Sequence, residues 1–159
     1  MRIPTIFALL GGVASVVVAG LPAVADPQRV IDDGGDRQYL FAMSAGSGSF
    51  ADGRLSLEGV PLVVYFSDRP YRQAGHMSVP DFLALWEANA DDLAKDPPNA
   101  ALAVYDAGRD SHAVVVLDRP EAGEGTLSFR ATILEDAVPA SFGTATLFID
   151  AFPCAVNGC

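Results

Sequence analysis

Positive charge is scarce in this chain: Lys95 is its one lysine, and ten basic side chains face twenty acidic ones among 159 residues. No basic stripe exists to neutralise phosphates, which excludes electrostatic nucleic-acid binding. The formal charge of −10 repels polyanions. The acids are scattered and form no long block, so solubility accounts for them better than a dedicated cationic partner does. Histidine is nearly absent as well. His76 and His112 are the two, in separate segments, and a shared metal would need both plus carboxylates from elsewhere. Asp-x-Asp-x-Asp-Gly spacing for calcium is missing too. Neither a metal nor a cofactor is expected.

Catalytic signatures are equally thin. There is no Gly-x-Ser-x-Gly elbow, and Gly46-Ser47-Gly48-Ser49 lacks the Gly-Lys-Ser ending of a phosphate cradle. The two cysteines, Cys154 and Cys159, have four residues between them at the end of the sequence, without the Cys-x-x-Cys spacing of redox or zinc pairs. In an oxidising compartment they are expected to pair. So short a loop adds about 2 kcal/mol in the chain-entropy model, enough to staple a tail but not to hold a fold.

What the sequence does contain begins at its head. Arg2 precedes the apolar run Ile6 to Leu21, which Ala23-Val24-Ala25 closes, the three-part pattern of a cleaved secretory signal. The expectation is a product starting at Asp26, exported to periplasm or medium. No cysteine sits at the cleavage point for lipid attachment, and no later stretch approaches the ~20 apolar residues of a membrane span. Removal of residues 1–25 leaves 134, which is 159 less 25 and about one domain's worth. The expected organisation is a polar lead-in over 26–36, a single β-rich domain over 37–151, and a tail over 152–159 carrying the disulfide.

Within that domain the hydrophobic period is mostly two. Tyr39 to Met43 reads as a strand and Ser44 to Gly53, rich in Ser and Gly, as a loop. Arg54-Leu55-Ser56-Leu57-Glu58 alternates like a half-buried strand, whereas Pro61 to Phe66 is unbroken enough for a strand covered on both faces. One helix stands out over about 79–93. Ser78 and Asp81 resemble a capping box with Asp in place of Glu, and Val79, Phe82, Leu83, Trp86, Ala90 and Leu93 fall on one side. Asp96-Pro97-Pro98-Asn99 must end it. Ala101 to Tyr105, His112 to Leu117, Thr126 to Leu134 and Thr144 to Asp150 then read as strands. The sum is a mainly β fold: an antiparallel β-sandwich or open barrel of six to seven strands with one amphipathic helix.

Polar chemistry concentrates where the apolar strand hands over to the helix. Asp68 has the chemistry of a base, Arg69 that of an anion clamp and His76 that of a proton shuttle. Ser67 and Asp68 equally suit bonding to turn backbone. With Asn99 from the double-proline loop, Ser67, Asp68, Arg69 and His76 make up the candidate contact surface. The function this favours is a binding or interaction module of the cell envelope or extracellular space, meeting an unidentified ligand there. The alternative is a hydrolase with Asp68 and His76 as acid and base and Arg69 holding an anionic group.

The order of these segments resembles an uncharacterised family of exported bacterial and archaeal proteins. The likeness rests on Leu55-Ser56-Leu57-Glu58-Gly59-Val60, Tyr65-Phe66-Ser67-Asp68-Arg69-Pro70, Gly75-His76, Phe82, Trp86 and Asp96-Pro97-Pro98-Asn99-Ala100. Val114 to Leu117, Pro139-Ala140-Ser141 and Leu147-Phe148-Ile149-Asp150 continue it. It spans about 42–150, and the Phe-Ser-Asp-Arg-Pro and Asp-Pro-Pro-Asn-Ala strings are its most specific parts. It names no reaction, ligand or catalytic residue. The chain departs from it at Phe142 and Thr144, where Ser-Gly-Gly-Pro is more usual, and in the cysteine-bearing tail.

Overall fold

The computed structural model describes residues 38–67, 69, 72–106 and 110–152. The signal-like head, the lead-in, Asp68, Cys154 and Cys159 lie outside these residues. The described chain runs β1 (Tyr39–Ala45), β2 (Ser47–Ala51), β3 (Arg54–Glu58), β4 (Val63–Ser67), β5 (Ala74–Met77), α1 (Val79–Ala88), α2 (Ala90–Lys95), β6 (Asn99–Tyr105), β7 (Ser111–Gly123), β8 (Thr126–Glu135), β9 (Ser141–Phe142) and β10 (Thr144–Phe152). Every strand pairing is antiparallel. The order is β5-β4-β1-β10-β6-β7-β8-β3-β2-β9 in one ten-stranded sheet. The fold is thus mainly β, with more strands than the six or seven expected, two short helices where one was expected, and a sheet that is not closed strand by strand.

One ladder organises the rest. Phe41 faces Ile149 and Ala45 faces Ala145; beyond them Gly48 faces Phe142 and Ser49 faces Ser141, in the same register. Only Gly46 separates β1 from β2, and only Gly143 separates β9 from β10. The far end of the strand order is therefore carried by continuations of strands at its middle, and the sheet curls over its inner face.

Side chains that alternate onto that face are buried: Phe41, Met43, Leu55, Leu57, Leu102, Val104, Val115, Leu117, Leu127, Phe129, Leu147 and Ile149. Helix α1 completes the core. Its Ser78 cap accepts from the Asp81 N–H at 3.2 Å, as a capping box predicts, while Asp81 Oδ2 accepts from the Ser78 hydroxyl at 2.6 Å and not from the Ser78 backbone N–H. Phe82 then meets Phe41 and Phe129 edge-on at ring separations of 5.6 and 6.4 Å, and Trp86 packs on Phe129 at 5.9 Å. Such pairs add about 0.5–1.5 kcal/mol each beyond their burial.

Several sequence expectations need correction. The Ser44–Gly53 segment is strand to Ala51 and a tight hairpin at Asp52-Gly53, both at positive φ (52° and 72°), the geometry of a type I′ turn. Its glycine marks a close approach and not a loop: a Cβ on Gly48 would lie 2.6 Å from the Ser56 carbonyl oxygen and against the Phe142 ring. Ala74–Met77, in the stretch that hands over from strand to helix, is itself the edge strand β5, with Gly75 under the Tyr65 ring. β4 is covered on its inner side alone, since Phe66 is exposed. The helix expected over 79–93 breaks at Asn89 (φ −110°, ψ 11°). The strand ending at Leu117 continues to Gly123 through a bulge between Asp118 and Glu121, where Pro120 is tolerated because the ladder is already interrupted.

Gly48→Ala is expected to cost about 1–3 kcal/mol through overpacking. Gly123→Ala, with nothing within 4 Å of the added carbon, is expected to stay within about 0.5 kcal/mol. Urea denaturation of the two variants reads both, and equal stability would refute the close-approach account.

Candidate functional site

Of the residues singled out in the sequence, the described ones do not all converge: Ser67 and Arg69 share the turn after β4, while Asn99 stands on a distant strand. Ser67 is occupied in its turn: its N–H donates to the Gln73 carbonyl at 2.8 Å, and its Oγ accepts from the Gln73 N–H at 2.7 Å. Tyr39 Oη donates to Gln73 Oε1 at 3.0 Å and braces the same turn. Arg69 is exposed in that turn. His76 is exposed on β5 opposite Val64, and Asn99 is exposed at the start of β6 opposite Val116. Four interstrand steps separate β5 from β6, on the order of 19 Å along the sheet. His112 lies on β7 and meets Asp136 Oδ2 at 3.3 Å, both exposed. Among the described residues no group of three His, Cys, Asp or Glu is placed to hold a metal ion. No helix among them is long and apolar enough to cross a membrane.

The outward face between His76 and Asn99 is apolar. Leu40, Phe66 and Phe148 are 44, 47 and 49% exposed. All three sit on the outward phase of the strand alternation, opposite to the buried Phe41, Tyr65, Leu147 and Ile149. Pairing joins them: Phe66 faces Leu40 and Ala74, Ala42 faces Val64 and Phe148, and Ala101 faces Phe148 and Val114. The exposed apolar area of the three large side chains alone is on the order of 300 Å², a size at which patches on monomers are often functional. His76 and Asn99 border it on the same outward face. The sequence carries a signal for it, because Leu147-Phe148-Ile149 and Tyr65-Phe66 are consecutive apolar residues and a strand cannot turn neighbours to one side. On the inner side of these strands Tyr65 is buried opposite Gly75 of β5, and its phenol is pushed above its usual pKa by burial and then by the neighbouring Tyr39.

A separate groove of about 720 Å³ runs between the helices and the bulged middle of β7. Leu83, Trp86 and Leu93 line it from the helices, and Pro120 and Ala122 from β7. The bulge holds Arg119 at φ 47°, in the left-handed region that a non-glycine residue seldom occupies. Arg119 Nε reaches Asp118 Oδ2 at 3.5 Å. Arg54 Nη1 donates to Glu121 Oε2 at 2.8 Å and to Ser128 Oγ at 2.9 Å. Neither the bulge nor this groove was foreseen from sequence, which ends the strand at Leu117.

The Arg54 hydrogen bond, followed by its charge, holds the Glu121 carboxyl below the ordinary glutamate range. A folded-state pKa below the unfolded one gives stability that is present above the unfolded value and lost as pH falls through the folded one. NMR titration is expected to place Glu121 low in the native protein and to return it upward in Arg54→Met; an unmoved value would refute the pairing. Comparisons with protein-family models, with curated proteins and with solved structures find no match to this chain.

Proposed function

We propose that the chain is an exported, non-catalytic interaction module of the cell envelope or extracellular space, a curled, barrel-like antiparallel domain that engages a protein partner through its outer apolar patch. The observation that carries this reading is the register-linked exposure of Leu40, Phe66 and Phe148. Burying that surface against a partner gains on the order of 25 cal/mol per Å² before association costs. Arg69, His76 and Asn99 serve as its polar rim, in keeping with the polar border typical of interfaces, and Asp68 belongs with them by sequence position. Export is supported by the three-part head of the sequence and by the resemblance to exported proteins. The alternative is a hydrolase with Asp68 and His76 as acid and base and Arg69 as anion clamp; of these, Arg69 and His76 are exposed, as rim residues are, and the apolar face beside them favours the interaction reading.

Two measurements test this reading. N-terminal sequencing of the secreted product is expected to begin at Asp26; retention of residues 1–25 refutes processing. The Leu40→Ser/Phe66→Ser/Phe148→Ser variant is expected to fold with native circular dichroism, and its affinity for isolated envelope proteins is expected to fall at least tenfold in surface plasmon resonance. Undiminished affinity would remove the patch as the contact face.

A further inference from the structure

The groove beside β7 has its own chemistry, independent of the outer patch. Its volume of about 720 Å³ falls within the ~300–1,000 Å³ of small-molecule sites. It exists because the helical side facing the bulge carries Ala84, Ala90 and Ala94, whose short side chains leave the space between helix and strand unfilled. Trp86 and Leu93, almost fully buried, present an apolar floor, and Pro120 adds an apolar wall. The charges around it are unequal. Three carboxylates, those of Glu87, Asp118 and Glu121, line it against one guanidinium, that of Arg119. Arg54 engages Glu121 and Arg119 engages Asp118, while no ion pair to Glu87 is found among the described residues. The chain's formal charge of −10 raises the local concentration of cations at such a site.

We infer that this groove binds an amphipathic organic cation, with the apolar body against Leu83, Trp86, Leu93 and Pro120 and the ammonium head at Glu87. An anionic amphiphile of the same length meets the same floor but is repelled by the carboxylate rim. The bulge contributes by fixing Arg119 against Asp118, so that the guanidinium is held by its neighbour and Glu87 is left to the ligand. A peptide is the weaker fit, since the groove is sized for a single small molecule.

Trp86 is the chain's one tryptophan, so its fluorescence reports on the floor directly. The full chain is titrated at fixed ionic strength with decyltrimethylammonium, decyl sulfate and decyl maltoside, each below its micelle concentration, with circular dichroism followed throughout. The expected result is a saturable change in Trp86 emission with the cation, at unchanged secondary structure and with at least tenfold tighter binding than decyl sulfate. Glu87 is exposed on α1, so E87Q leaves the core untouched; it is expected to weaken the cation at least fivefold and to leave decyl maltoside unaffected. A84R, which puts a cation on the same rim, is expected to weaken it as well. Equal affinity for sulfate and ammonium, full cation affinity in E87Q, or an emission that no amphiphile changes would each overturn the inference. None of these outcomes bears on the outer patch, which the triple-serine variant tests by itself.

Discussion

The structure depends on a single constraint: the run 39–51 must lie against the run 141–152 without slipping. A shift of one residue would turn Phe41, Met43, Leu147 and Ile149 outward and bring Leu40, Ala42 and Phe148 in. Two features hold the register. The inner face buries large side chains at every second position, and Gly48 accepts the Phe142 ring where no other residue leaves room. Once this pair of strands is set, β4 and β5 extend one side, β6 to β8 and β3 fill the other, and the inward row closes round the rings of Phe82 and Trp86.

Much of this was legible in the sequence. The alternation of Arg54 to Glu58, the apolar runs at 101–105, 112–117 and 144–150, and the Ser78 cap all correspond to described elements, because strand period and cap chemistry are local. The rest was not local. Gly48 in β2 and Gly75 in β5 read as loop residues until the aromatic ring across the ladder is known, and that ring comes from a distant segment in the first case. Asn89 breaks the helix through its own backbone conformation, with its Nδ2 donating to the Leu85 carbonyl at 2.7 Å, a choice that helical periodicity does not encode.

The candidate site was legible only as a neighbourhood. Polar residues draw attention because their chemistry is nameable, so Arg69, His76 and Asn99 stood out while the apolar residues between them did not. Periodicity identifies Phe66 and Phe148 as facing away from the core, but whether such a face is covered depends on the layer above it, and that is a property of the whole fold. The groove has the same character: three alanines on two successive helices are unremarked until a bulged strand stands opposite.

The pairing of Tyr39 with Phe152 sets the start of β1 beside the end of β10, on adjacent antiparallel strands in the middle of the strand order. Tension applied between them acts across the strands and not along them, so the hydrogen bonds of this central ladder open in succession instead of sharing the load. Under mechanical stress the strand pair that defines the fold is therefore also the first to unzip.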